Sequence, residues 1–306
     1  MITKKVAFLY DDIFLKHETP YGHPESKQRL TAIVNYLKKE GTWERLIHIK
    51  PRKATEEELA VVHDINYIKK MKHFSSGYLD PDTYFCEHTF EVACHAVGAV
   101  LDAIDGVFRK EFDGAFCAVR PPGHHAEKDT AMGFCIFNNV AVGAGYAKRL
   151  GYKKIFIIDF DVHHGNGTQH IFEEDCGVFF FSSHQSPFYP GTGRESEIGR
   201  GAGVGCTYNI QVKAGSGTKE YLTIYQDILP QKIRDFEADL VLVSAGYDLH
   251  KDDPLAQINV TTEGIRSIVR SILDCCAAPK IFVLEGGYNL QALAECVKAT
   301  VEEMMD

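Results

Sequence analysis

Apolar positions in this chain follow two alternating periods. Short, nearly continuous apolar runs at residues 6–10, 115–119, 155–160, 178–182, 240–245 and 281–284 have the length and side chains of strands buried on both faces. Residues 208–212 make a further strand. Between the runs, apolar residues recur at helical spacing, as Leu30, Ile33, Val34 and Leu37 do, or Phe90, Cys94, Val97, Leu101 and Ile104. The pattern predicts helices near residues 56–71, 87–108, 139–150, 218–236, 261–273 and 291–304. The first helix is expected to open at Tyr21-Gly22-His23-Pro24-Glu25, where proline suits the first turn and glutamate the positive end, and to stop at Gly41. Residues 75–82, rich in Gly, Asp and Pro, read as a loop.

Strand and helix alternate almost to the end. That is the signature of an α/β protein with a mostly parallel sheet covered by helices on both faces. No repeat, low-complexity tract or linker interrupts residues 1–306, so a single domain is expected.

Composition narrows the function. A formal net charge of -9 and the lack of a basic tract argue against direct nucleic-acid binding. The nine cysteines form no Cys-x-x-Cys pair and several sit in apolar runs, so they are expected to be buried, reduced thiols in a cytoplasmic protein. The opening stretch, Met1 to Tyr10, is too short in apolar residues for a secretory signal, and no run approaches a membrane span. Oligomeric state is left open by the sequence.

Polar chemistry concentrates in four loops, each following an expected strand: Arg120-Pro121-Pro122-Gly123-His124-His125, Asp159-Phe160-Asp161-Val162-His163-His164, Gly246-Tyr247-Asp248 and Glu285-Gly286-Gly287-Tyr288. Parallel strands would bring these loops to one edge of the sheet. Alternation along the strand end puts Asp159, Asp161 and His163 on one side, a donor set suited to a divalent cation. Taken singly, the pieces have ordinary readings: an exposed His-His turn, an aspartate capping a helix, a tyrosine packing on a Gly-Gly turn. Taken together they supply metal ligands, a proton shuttle and a hydroxyl donor.

These motifs, with Gly133-Phe134-Cys135 and Pro190-Gly191-Thr192-Gly193, resemble those of the histone deacetylase superfamily, class II-like and of bacterial or archaeal type, whose fold is that of the arginases. The resemblance spans about residues 6–295. It implies zinc held by Asp161, His163 and Asp248, with ferrous iron as the alternative ion, and a structural potassium near Asp159, Asp161, His163 and Ser182. It implies His125 as general base and acid, His124 in electrostatic support oriented by Asp159, and Tyr288 as the oxyanion donor. Asn166 stands where some members carry an aspartate facing the second histidine, as it does in several class II-like relatives; a neutral amide there is expected to leave His125 less basic. Phe134 and Tyr189 match the aromatic walls around a lysine side chain, with Gly133 allowing close approach. Asp82, with Asp80 as its neighbour and rival, is the expected rim residue for a substrate's backbone amides.

The implied activity is removal of an acyl group from lysine in a protein or peptide. Acetylpolyamine or other small-amide hydrolysis is the alternative, although Leu255 offers no anion for a distant ammonium. An arginase-like binuclear site would need more carboxylates than this cluster has. A silent acyl-lysine-binding module would lack one of the catalytic groups.

Overall fold

The computed structural model describes residues 4–306, so the first three residues of the opening stretch lie outside the described residues. Eight strands form one parallel sheet: β1 (Val6–Leu9), β2 (Ile47–Ile49), β5 (Gly114–Cys117), β6 (Ile155–Asp159), β7 (Val178–Gln185), β8 (Thr207–Val212), β9 (Leu240–Ala245) and β10 (Lys280–Leu284). Their order across the sheet is β2-β1-β5-β10-β9-β6-β7-β8. A two-stranded antiparallel pair, β3 (Gly77–Tyr78) with β4 (Tyr84–Phe85), stands apart. The helices are α1 (Gln28–Lys39), α2 (Glu56–Leu59), α3 (Ile65–His73), α4 (Thr89–Phe108), α5 (Asn139–Leu150), α6 (Asn166–Phe172), α7 (Thr218–Thr223), α8 (Leu229–Phe236), α9 (Thr262–Asp274) and α10 (Leu290–Met305).

Strand order explains the placement of the chemistry. The four strands whose loops carry polar motifs, β5, β10, β9 and β6, are consecutive in the sheet and all parallel. Every residue of these four strands is buried, which is why their sequences are continuous rather than alternating apolar runs. Among the described residues, no helix is long and apolar enough to cross a membrane.

Several expectations need correction. Glu25 does not open a helix; α1 starts at Gln28. Glu25 is instead fully buried and receives bonds from Arg120 Nε at 2.5 Å and Nη2 at 2.8 Å, with Arg29 Nη1 at 3.3 Å. Two buried guanidinium groups need that carboxylate more than a helix start does. The helix expected over residues 218–236 is interrupted by a π turn at Ile224–Ile228, just before Pro230, whose missing N–H breaks the regular ladder. Strand β6 ends at Asp159, so Asp161 and His163 belong to a loop and not to a strand face. They still converge with Asp159 because Asp161 N donates to Asp159 Oδ1 (3.1 Å) and His163 N donates to Asp161 Oδ1 (2.8 Å).

The cysteine expectation also changes. Cys176 and Cys206 form a disulfide, with Cα atoms 5.4 Å apart, and the other seven are free, of which Cys86, Cys275 and Cys276 are only partly buried. The partners lie 30 residues apart at the approaches to β7 and β8, and strand packing brings them together. The apolar pattern does not mark the short strand β2, a three-residue edge strand with a polar centre, His48.

Candidate active site

The loop after β5 is fixed from three sides. Buried Arg120 donates to Glu25 and to the carbonyls of Phe14 (2.9 Å) and His17 (3.0 Å). Glu285 Oε2, arriving from β10, accepts from Gly123 N (2.6 Å) and His124 N (3.2 Å). Asn138 Nδ2 donates to Thr168 Oγ1 (3.0 Å) and Ala126 O (3.3 Å) while Asn138 Oδ1 caps α5. With its backbone held, the loop presents His124 and His125, both buried, with ring centroids 4.0 Å apart. His124 Nδ1 bonds Asp159 Oδ2 at 2.9 Å, and His125 Nδ1 bonds Asn166 Oδ1 at 2.7 Å.

One donor atom from each of Asp161, His163 and Asp248 lies within 4.8 Å of the others, and among the described residues this is the one such metal-competent cluster. His163 Nδ1 stands 3.0 Å from Asp161 Oδ1 and 3.1 Å from Asp248 Oδ2. Each carboxylate is also aimed by a backbone amide: Gly286 N donates to Asp161 Oδ2 (2.8 Å), and Val162 N donates to Asp248 Oδ1 (2.9 Å). Such outer bonds orient ligands toward a cation. The close quarters require glycine: a Cβ on Gly286 would sit 2.1 Å from Asp248 Oδ2 and 2.6 Å from Asp161 Oδ2. Two buried carboxylates and one imidazole carry excess negative charge in a desolvated pocket, and among the described residues no Lys or Arg pairs with either acid. That donor set fits a divalent cation with coordination positions left for water and substrate.

Above this cluster lies a cavity of about 210 Å³, bordered by His124, His125, His163, Tyr288, Phe134, Gly133, Tyr189, Asp82 and Leu255. Ligand pockets for drug-sized molecules run to several hundred cubic ångströms, so this one suits a single slender side chain. Gly133 (φ 56°) packs so tightly on the His125 ring that a Cβ would meet Cδ2 at 2.4 Å. Phe134 itself holds a left-handed backbone (φ 68°), steadied where its N–H donates to Thr83 Oγ1 at 3.0 Å. Tyr189 meets His125 edge-on at 5.1 Å. Of the two rim candidates, Asp82 borders the cavity, whereas Asp80 Oδ1 accepts from the amides of Asp82 and Thr83 and so shapes the turn.

Electrostatics divides the two histidines. Burial disfavours the charged form of both. For His124 the carboxylates of Asp159 and Asp161 outweigh burial and raise its pKa to about 10. For His125 burial, reinforced by the neighbouring charges of His124 and His163, holds the pKa well below the usual value, leaving a neutral ring. Burial also pushes Asp248 up to about 7, with the charge of Asp161 adding to it. Desolvation, then Asp248, keeps the Tyr288 phenol protonated.

The expected metal ligands, the catalytic candidates and the wall residues Asp82, Gly133, Phe134, Tyr189 and Leu255 meet here. Asp159 and Asn166 lie directly behind the histidines, and Asp161 and Asp248 lie beneath the cavity. The sequence reading missed the supports. Glu285 stands there only as a letter of a motif, and Asp253 has no role in it. Asp253 Oδ2 accepts from Tyr288 N (2.7 Å) and its Oδ1 from Leu255 N (2.9 Å), so one buried aspartate fixes both residues. Arg29 donates to Gly287 O (2.7 Å) and Glu285 O (2.5 Å), and its guanidinium lies 5.1 Å from the Tyr288 ring. A larger cavity of about 640 Å³ opens at the opposite edge of the sheet and touches none of these groups.

Comparison with known proteins identifies the family and the fold. Residues 23–304 match the histone deacetylase domain model. The chain is 36% identical over 293 residues to a probable deacetylase of Archaeoglobus fulgidus, covering 93% of this chain and 82% of that protein. It is 37% identical to the human polyamine deacetylase HDAC10, over 94% of this chain and 45% of that larger protein. The crystal structure of the HDA15 HD domain superposes with a TM-score of 0.93 at 36% identity, covering 97% of this chain and 90% of that one. With the arginase/deacetylase sheet, the converging donor cluster and these relatives, the chain belongs to the histone deacetylase family.

Proposed function

We propose that residues 1–306 act as one catalytic domain, a metal-dependent amidohydrolase that removes acetyl or another acyl group from the ε-amine of lysine in proteins or peptides. The observation that carries this reading is the meeting of Asp161, His163 and Asp248 at the floor of a narrow cavity that His125 and Tyr288 also border. Zinc is the expected ion and ferrous iron the alternative. When bound, it supplies a Lewis acid and lowers the pKa of water toward neutrality.

The chain's own groups do the rest. His125 donates its Nδ1–H to Asn166, which leaves the Nε2 lone pair free to take a proton from the attacking water. Tyr288, kept as a phenol, donates to the carbonyl oxygen as negative charge builds there. His125 then passes the proton to the departing amine. His124, held by Asp159, contributes positive charge nearby. Phe134 and Tyr189 flank the methylenes, and Asp82 accepts from substrate amides at the rim.

A structural potassium remains part of this reading. Asp159 is paired in register with Ser182 and with Ser244, whose buried hydroxyl has no partner among the described residues, and oxygen donors of this kind suit a hard cation. We keep the cytoplasm as the proposed compartment from the seven free cysteines, and the Cys176–Cys206 disulfide counts against it. The human relative's name keeps polyamines as a second reading, and Leu255 at the cavity border argues for the lysine substrate. Acetate release from an acetyl-lysine peptide, set beside acetylspermidine, tests both. Faster turnover of the peptide is expected. Turnover that survives complete metal chelation would refute the chemistry, and preference for the polyamine would exchange one substrate for the other.

A further inference from the structure

Asn166 is a neutral residue behind the proposed base, and its amide has two ends. Oδ1 faces His125 Nδ1 at 2.7 Å. Nδ2 faces Glu127 Oε1 at 2.5 Å, with weaker contacts to His125 O (3.3 Å) and Met132 Sδ (3.4 Å). Glu127 is steered in turn: the same Oε1 lies 2.8 Å from His170 Nδ1, and Glu127 N donates to Thr130 O (2.9 Å). The Glu127–His170 pair is partly exposed, at 20% and 39%, so its own contribution to stability is small. Its geometry matters more.

A carboxylate only accepts hydrogen bonds. Glu127 therefore forces the NH₂ of Asn166 toward itself and the carbonyl toward His125. That carbonyl likewise only accepts, so His125 must carry its proton on Nδ1. The tautomer with a free Nε2 follows without a carboxylate bonded to the ring.

The geometry points to Glu127 as the positioning residue of this site: its carboxylate, relayed through the Asn166 amide, fixes the His125 tautomer and polarises the bond behind it. The negative charge that an aspartate at position 166 would place on the ring stands here one amide further out. This inference rests on the reading of His125 as the base, but its first test does not.

Histidine side-chain ¹⁵N NMR of the metal-free protein reads the His125 tautomer directly. Wild type is expected to show Nδ1–H alone, and Glu127→Leu a mixture of both tautomers. With zinc added and an acetyl-lysine peptide as substrate, Glu127→Leu is expected to lose about tenfold to a hundredfold in kcat while KM stays within about twofold. Glu127→Gln, which keeps an acceptor without the charge, is expected to hold the tautomer and lose less. Asn166→Asp in the Glu127→Leu background should restore kcat by placing a carboxylate on the ring itself. A single unchanged tautomer in Glu127→Leu, or a kcat loss that Asn166→Asp leaves unrepaired, overturns the inference. If wild type releases no acetate, the functional reading fails, while the tautomer measurement still decides the role of Glu127.

Discussion

The two edges of the one parallel sheet make opposite use of charge. At the carboxyl edge Glu25, Arg29, Arg120, Asp159, Asp161, Asp248 and Glu285 are essentially without solvent contact, around a cavity of about 210 Å³. At the amino edge a cavity three times as large, about 640 Å³, is bordered by Lys4, Lys110 and Lys280 beside Val107, Phe112, Leu273 and Met304. Among the described residues, the larger space holds no metal-competent donor cluster. Desolvated groups held by backbone amides and by each other have chemistry that the exposed Lys4 and Lys110 lack, because burial is what makes their charges strong and their orientations fixed. The carboxyl edge also gathers the amino ends of α5, α6 and α10, where helix dipoles favour negative charge. Donor chemistry, more than cavity size, marks the site.

That contrast breaks most visibly if the metal cluster is dispensable. Asp248→Ala is expected to abolish both metal binding and turnover, read by elemental analysis of the purified protein and by acetate release. Retention of one zinc per chain with full activity would overturn the ligand assignment. Tyr288→Phe should keep its metal and lose about 10²- to 10³-fold in kcat, as removal of an oxyanion donor does elsewhere. Glu25→Ala tests whether buried charge at this edge is structural as well. It strands two guanidinium groups and should cost about 3–5 kcal/mol in urea unfolding. A loss under 1 kcal/mol would mean that water or rearrangement replaces the carboxylate.

Smaller effects sharpen the comparison at the rim and the far edge. Desolvation, then its bond with Asp80, raises Asp82 to about 6. Because folding favours the protonated form, this group costs stability as pH rises from about 4 to 6, and in the folded chain it becomes a better acceptor as pH rises through about 6. KM for a peptide substrate should therefore fall between pH 5 and pH 7, and Asp82→Asn should flatten that component. At the amino edge, Lys110→Ala should change stability by less than about 0.5 kcal/mol and leave acetate release untouched. A clear drop in activity there would show that the two edges are coupled.

Local sequence settled a good deal. Buried parallel strands require uninterrupted apolar runs, so β5, β6, β9 and β10 were legible, and with them the loops that follow. Donor spacing inside one loop was legible too: Asp159, Asp161 and His163 converge as read, although side-chain caps on backbone amides hold them there in place of a strand.

Strand order was decided elsewhere. Nothing in the linear pattern says that β10 and β9 slot between β5 and β6, yet that order brings Glu285 to His124 across 161 residues and Asp248 to His163 across 85. The Cys176–Cys206 pairing, the hold of Asp253 on Tyr288 and the bond from Asn166 to Glu127 are of the same kind. Periodicity along a chain records which face of each element is buried, because that depends on the residue's own hydrophobicity. Which neighbour lies on that face depends on packing among elements distant in sequence, and only the folded chain contains it.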